Sequence, residues 1–135
     1  MRTDRFTVKS QEALERARNL ARQRNQPSIE PLHLLAALAA EEGGAVAPVL
    51  EKLGVDDGRL SADVDRALGG LPATASESCV FMSPELNGVL EKADDIAGQL
   101  KDEYISTEHL MLALAELPAT SAVGNILRSH GVTKD

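Results

Sequence analysis

The chain repeats itself, and this duplication limits its fold more than any other feature, because a repeated unit must form the same local structure twice and pack one copy on the other. Leu14-Glu15-Arg16-Ala17 matches Leu90-Glu91-Lys92-Ala93, and Leu32 to Ala39 matches Glu108 to Ala115. Leu14 and Leu90 stand 76 residues apart, as do His33 and His109, and Ile29 and Ile105. Leu50/Leu127 and Gly54-Val55/Gly131-Val132 stand 77 apart, so the second copy carries one added residue.

Each copy predicts helices divided by capping signals. Thr7 is an N-cap candidate, and Leu14, Ala17 and Ala21 share one face of a helix reaching about Gln23. The counterpart starts at Ser83, with Pro84 first in the helix and Glu85 in its first turn, and carries Leu86, Leu90, Ala93, Ala97 and Leu100 on one stripe. Glu30-Pro31 and Ser106-Thr107-Glu108 open the second pair, which turns Leu34, Leu35, Leu38 and Leu110, Met111, Leu114 inward; Gly43-Gly44 closes the first of these helices. A third helix holds Val46, Val49, Leu50 and Leu53 and stops at Gly54, and its copy holds Val123, Ile126 and Leu127 and is closed by Gly131. A fourth, from Asp57 to Leu68, sets Leu60, Val64 and Leu68 at successive i+4 steps.

β-branched and aromatic residues alternate over no useful length, so strands are not expected and the fold class is all-α. The predicted architecture is a compact bundle of two tandem four-helix repeats related by a pseudo-twofold axis: first repeat 7–70, linker 71–82, second repeat 83–135. The linker begins with the polar, Pro-containing stretch Leu71 to Ser78. The chain reaches Asp135 where the eighth helix should begin, so the pattern predicts a longer natural chain led by this domain, with an apolar strip uncovered beside Val123 and Leu127.

Composition narrows the function. At 135 residues, 43% hydrophobic and 26% charged, the chain matches a soluble globular domain able to bury about two-thirds of its unfolded surface. Phe6, Phe81 and Tyr104 are the whole aromatic complement and net charge is −7, which supplies neither stacking platforms nor phosphate-neutralising cations, so nucleic acid is not an expected partner. The longest apolar run, Leu34 to Ala40, is far short of the roughly 20 residues that span a bilayer, and no apolar leader follows Arg2 and Arg5. Cys79 is alone, which precludes an internal disulfide and a thiolate metal cage and fits a cytoplasmic setting.

Chemistry-bearing motifs are scarce. No Gly-x-x-x-x-Gly-Lys-Ser/Thr loop is present, so no ATPase activity is expected of this chain itself. The matched His33 and His109, with Glu108 beside the second, suggest either a shared two-His metal site or hydrolytic base, or two structural imidazoles in first helical turns bonded to the preceding loops. His-Glu-x-x-His spacing is missing, which favours the structural alternative. Cys79 has no basic flank to lower its pKa and is read as incidental.

The paired motifs Ile29-Glu30-Pro31-Leu32-His33-Leu34-Leu35 and Tyr104-Ile105-Ser106-Thr107-Glu108-His109-Leu110-Met111, with Met1-Arg2, Asp4-Arg5, Thr7, Glu41-Glu42-Gly43-Gly44 and Leu71-Pro72, resemble the N-terminal domain of the Clp/heat-shock-100 AAA+ chaperones, closest to the ClpB type. The likeness covers essentially the whole chain. It implies a domain tethered to a hexameric ATPase that engages unfolded or aggregated polypeptides and passes them to a central pore, in concert with the DnaK chaperone system. ATP and Mg belong to the AAA+ modules of such proteins, so the resemblance implies no cofactor for this domain, which on its own is expected to be monomeric.

The resemblance also assigns functional weight to Thr7, Asp102 and Glu108, each with a competing structural role as a helix cap or a carboxylate near a helix N-terminus. An apolar client groove is expected from Val89, Ala93, Ile96 and Leu100 on the fifth helix and Leu110 on the sixth, residues that core packing would equally explain. In ClpC or ClpA relatives the same fold docks adaptors, and domains of the ClpC type read phosphorylated arginine with Glu before His in both copies. Here Glu108-His109 keeps that pattern and Leu32-His33 does not, which favours the ClpB type.

Overall fold

Capping residues set the helix boundaries in the computed structural model, which describes residues 5–40, 46–73 and 81–132. Gly43, Gly44, Cys79 and the expected start of an eighth helix lie outside them. The order is α1 (Val8–Gln23), β1 (Ser28–Ile29), α2 (Pro31–Ala40), α3 (Val46–Lys52), α4 (Asp57–Gly69), β2 (Phe81–Met82), α5 (Pro84–Gln99), α6 (Thr107–Ala115) and α7 (Ala122–Ser129). Thr7 Oγ1 accepts from the Ser10 amide at 3.1 Å and Ser83 Oγ from the Leu86 amide at 3.0 Å, so both long helices start where the sequence places their caps.

The duplication extends to backbone detail. Asn25 and Lys101, 76 residues apart, end α1 and α5 in the left-handed region at φ 55° and 61°. Past each, an amide turns back to the helix, Gln26 to the Ala21 carbonyl and Asp102 to that of Ala97, at 2.9 and 2.8 Å. Gly54 and Gly131 both sit at φ 78°, where a Cβ would strain the backbone. Alanine at either is expected to cost about 1 kcal/mol, read as a shift in denaturation midpoint.

The two copies interlock through short parallel pairings. Ile29 pairs with Met82 in the β1–β2 ladder and Phe6 bridges to Ile105. These are one contact with the copies exchanged. Thr7 N–H donates to the Ile105 carbonyl at 3.0 Å, and Ser83 N–H to that of Ile29 at 3.1 Å. Two residues per strand leave no periodicity to read, which is why the sequence predicts none; the fold remains all-α.

Helix α2 lies centrally, packed by α1, α3, α4, α6 and α7. Leu32, Leu34, Leu35 and Leu38 are buried on it, an apolar surface on every side as an enclosed helix requires. On α1 the buried face is Ala13, Ala17 and Ala21, with Leu14 only partly covered. On α3 Val46 and Leu50 are buried while Val49 and Leu53 are 45% and 49% exposed. Two departures from expectation share one cause: side-chain spacing shows which residues share a face but not what covers it. Val123 and Leu127 are buried, because α7 packs on α2 and α4 of the first half as well as on α6. Leu100 caps α5 and is 58% exposed.

Candidate protein-binding site

The segment from Leu100 to Glu108, running from the end of α5 into α6, and the start of α1 meet at the Phe6–Ile105 bridge. This gathers Thr7, Asp102 and Glu108 around one strip of backbone. Thr7 holds the junction rather than offering a free hydroxyl: Thr7 O–H donates to Ser10 Oγ at 3.0 Å, and the buried Ser10 O–H donates to the Ile105 carbonyl at 2.9 Å. Thr7→Ala is therefore expected to lower stability by about 1 kcal/mol in chemical denaturation, with Thr7→Ser close to wild type.

Asp102 has a defined structural partner. Ser106 caps α6, its amide donates to His109 Nδ1 at 2.9 Å, and His109 Nε2 donates to Asp102 Oδ2 at 2.8 Å. The first half builds the same motif: the Glu30 amide donates to His33 Nδ1 at 2.9 Å and His33 Nε2 donates to Gln26 Oε1 at 2.6 Å. Both nitrogens of each imidazole are thus engaged within its own half, which leaves no lone pair for a metal and no base for hydrolysis while these bonds persist. Asp102→Ala strands the largely buried His109 N–H and should cost about 1 kcal/mol, while Asp102→Asn keeps an acceptor and should be nearly neutral in the same denaturation assay.

Environment separates the two histidines. His33 is fully buried, and burial, then the Arg24 charge, lowers its pKa from 6.5 to about 4. Gln26 completes that network by donating from Nε2 to the Leu68 carbonyl of α4 at 2.7 Å. Asp102 takes Gln26's place in the second half with its side chain 51% exposed.

Of the five groove candidates, Val89, Ala93, Ile96 and Leu110 are buried at 6% exposure or less, so they are core and line no open groove. Their stripe faces the other helices of the bundle, and α5 packs most extensively on α6. Leu100 alone reaches solvent. Sequence reasoning missed two exposed apolar residues at this junction, Val8 next to Thr7 and Tyr104 next to Ile105, at 70% and 51% exposure, and a third away from it, Phe81 on β2, at 60%. Val8 and Tyr104 thus flank the Phe6–Ile105 pairing, and Leu100, Asp102, Glu103 and Glu108 lie exposed on the segment that leads through it. A separate polar cleft of about 540 Å³ lies between α4 and the end of α7, where Asp63 is held by His130 at 2.7 Å and Arg66 at 3.3 Å.

The architecture is thus a duplicated all-α bundle whose two halves carry the same engaged imidazole motif. The family described as Clp repeat (R) N-terminal domain matches residues 5–130, and the chain belongs to it. Chaperone protein ClpB of Nitratidesulfovibrio vulgaris is 38% identical over 135 residues, covering 97% of this chain and 16% of the relative. Chaperone protein ClpB of Clostridium perfringens is 36% identical over 139 residues, covering 100% and 16%. The chain thus spans about a sixth of the length of the curated relatives it matches. Among solved structures, the Hsp104 N-terminal domain from Candida albicans superposes with a TM-score of 0.84 at 27% identity, over 96% of this chain and 84% of that one. A ClpV N-domain in complex with a VipB peptide gives 0.73 at 20% identity, over 94% and 79%, a likeness of fold.

Proposed function

We propose that this chain is the N-terminal client-binding domain of a ClpB-type ATP-dependent disaggregase, which engages unfolded or aggregated polypeptide for transfer to a hexameric AAA+ ring in the cytoplasm. The exposed Val8, Leu100 and Tyr104, with Asp102, Glu103 and Glu108, carry the reading. Apolar side chains left in solvent suit clients recognised by burial rather than by defined sequence, and the carboxylates suit Lys or Arg in the same segment. ATP, Mg and hydrolysis belong to other modules of such a protein, as does cooperation with the DnaK system.

Covering about 300 Å² of apolar surface at 25 cal/mol per Å² contributes about 7 kcal/mol before ordering costs, so each domain binds weakly and releases fast. Six tethered copies offset this through effective concentration. Titrating the isotope-labelled chain with a permanently unfolded protein is expected to shift the amides of Val8, Leu100 and Tyr104. Leu100→Ser with Tyr104→Ser should weaken that binding about fivefold with the fold intact, because neither side chain is in the core. Shifts confined to the α4–α7 cleft, or an unchanged spectrum at millimolar client, would refute the reading.

Adaptor docking or phosphoarginine reading, as in ClpC or ClpA relatives, finds less support, since Leu32 is apolar and buried where Glu108 is exposed. Calorimetry with a phosphoarginine peptide is expected to give no saturable heat; tight binding lost in Glu108→Ala would install this function instead.

A further inference from the structure

The two halves differ in charge where their backbones are most alike. Arg5 and Phe81 stand 76 residues apart and each lies one residue ahead of an equivalent pairing, Phe6 with Ile105 and Met82 with Ile29. At the first junction the Arg5 guanidinium reaches Asp94 on α5 at 3.1 Å. At the second, Phe81 stands in the place of Arg5, and Arg18 on α1, also 76 residues before Asp94, in the place of the aspartate. The symmetry thus brings Phe81 to the flank of α1 that carries Arg18. A phenyl ring cannot neutralise a guanidinium, so the ion pair of one half has no equivalent in the other.

The rest of α1 extends the contrast. From Arg16 to Asn25 the helix and the turn that ends it hold four arginines and no carboxylate, in a chain of net charge −7, whereas the matching stretch Lys92 to Lys101 holds Asp94 and Asp95. Arg16 donates to the Ala37 carbonyl at 3.4 Å and Arg24 is paired with Asp65. Arg18 and Arg22, one turn apart on one face, are exposed and make no ion pair among the described residues. Glu15, about one turn before Arg18, bounds this basic patch. Ile29 is buried and Met82 half-buried in the β1–β2 pairing, while the Phe81 ring stays 60% exposed.

We propose that Phe81, Arg18 and Arg22 form a second polypeptide-binding site, which takes an extended acidic segment of another protein carrying an apolar residue and two carboxylates at alternate positions. An extended chain puts such side chains on one face, with the carboxylates about 7 Å apart, close to the roughly 6 Å between residues one turn apart on a helix. Each carboxylate meets one guanidinium in a charge-assisted pair, and the apolar side chain covers the ring. Charge complementarity decides the occupant. The surface at Val8, Leu100 and Tyr104 carries carboxylates and suits basic segments, whereas this junction has the opposite sign and takes segments that the other repels. Two free guanidinium groups and one ring are too few to hold nucleic acid by counterion release or stacking. The two surfaces share no residue, so the site does not rest on the client reading.

The probe is the acetylated, amidated peptide Gly-Ser-Leu-Thr-Glu-Thr-Glu-Ser-Gly, titrated into the isotope-labelled chain. Saturable amide shifts are expected at Arg18, Arg22, Phe81 and Met82, with affinity falling about fivefold between about 50 and about 300 mM salt. Arg18→Glu combined with Arg22→Glu should weaken binding about tenfold by opposing both carboxylates, and Phe81→Ser about threefold by removing the apolar contact. All three side chains are exposed, so circular dichroism should stay native. The same peptide with lysine in place of both glutamates should leave these amides unmoved.

Tyr104→Ser should leave the acidic peptide unaffected while weakening the unfolded client, so failure of this site and failure of the client reading are told apart. No saturation at millimolar peptide, binding indifferent to the double arginine variant, or shifts confined to Val8, Leu100 and Tyr104 would overturn the proposal. So would vesicles of anionic lipid that bind more tightly than the peptide and are released by Phe81→Ser, which would assign the patch to a membrane surface.

Discussion

Gly124→Ala is expected to destabilise the domain by about 3 kcal/mol, at the upper end of what overpacking usually costs. A Cβ at this position in α7 would lie 2.1 Å from the Pro118 carbonyl oxygen and 2.7 Å from that of Leu117. Neither oxygen is free to move. Pro118 O accepts from the Ser121 hydroxyl and amide at 2.8 and 3.0 Å, and Leu117 O accepts from Arg128 at 2.7 Å. Making room for one methyl therefore shifts the α6–α7 turn and loosens the cap of α7, which holds Val123 and Leu127 in the core. Gly88→Ala is the matched control: it lies on the exposed face of α5 with nothing within 4 Å of its Cβ, and should stabilise by about 0.5–1 kcal/mol through helix propensity. Urea midpoints of the two variants should move in opposite directions; a Gly124→Ala midpoint within error of wild type would show that the turn yields without cost.

The second large effect is acid sensitivity at His33. Its folded pKa of about 4 lies below the ordinary 6.5, so as pH falls the unfolded chain takes up a proton that the folded chain refuses. The stability that depends on the neutral ring is complete above pH 6.5 and is lost between pH 6.5 and 4, in total about 3 kcal/mol. The neutral state is built into the bonding. Nδ1 must accept from the Glu30 amide, and a second proton would set a cation against that N–H and near Arg24. Denaturation at pH 7.5 and 4.5 should show His33→Gln losing less stability on acidification than wild type, because glutamine does not titrate. Equal losses in the two proteins would mean that His33 protonates freely in the fold.

The order of helices was legible because caps are local: Thr7, Ser83-Pro84 and Ser106 each announce a helix within four residues. The repeat offset was legible too, and it predicted the twin histidine motifs, though not that Gln26 and Asp102 would be their partners, since the two differ in type. Asn25 and Lys101 adopt the same left-handed backbone, and lysine gives no hint of it. The client groove was misread for a general reason. An apolar stripe such as Val89, Ala93 and Ile96 is written identically whether it faces a neighbouring helix or a partner, and only the packing of α5 on α6 decides. Val8 and Tyr104 stand singly at a helix start and in a loop, where no period marks them, whereas Leu100 ends the α5 stripe and was legible.

The exchanged pairing of Phe6 with Ile105 and Ile29 with Met82 bears on how the protein is made. Neither copy satisfies its own edge: the amides of Thr7 and Ser83 each donate to a carbonyl of the other copy. A nascent chain emerging from the ribosome therefore cannot pair its leading segment at Phe6 until Ile105, far along the sequence in the second copy, has been made. Native structure should arrive in one late step rather than in two halves, and a ribosome stalled before residue 105 should present a chain that proteases cut throughout.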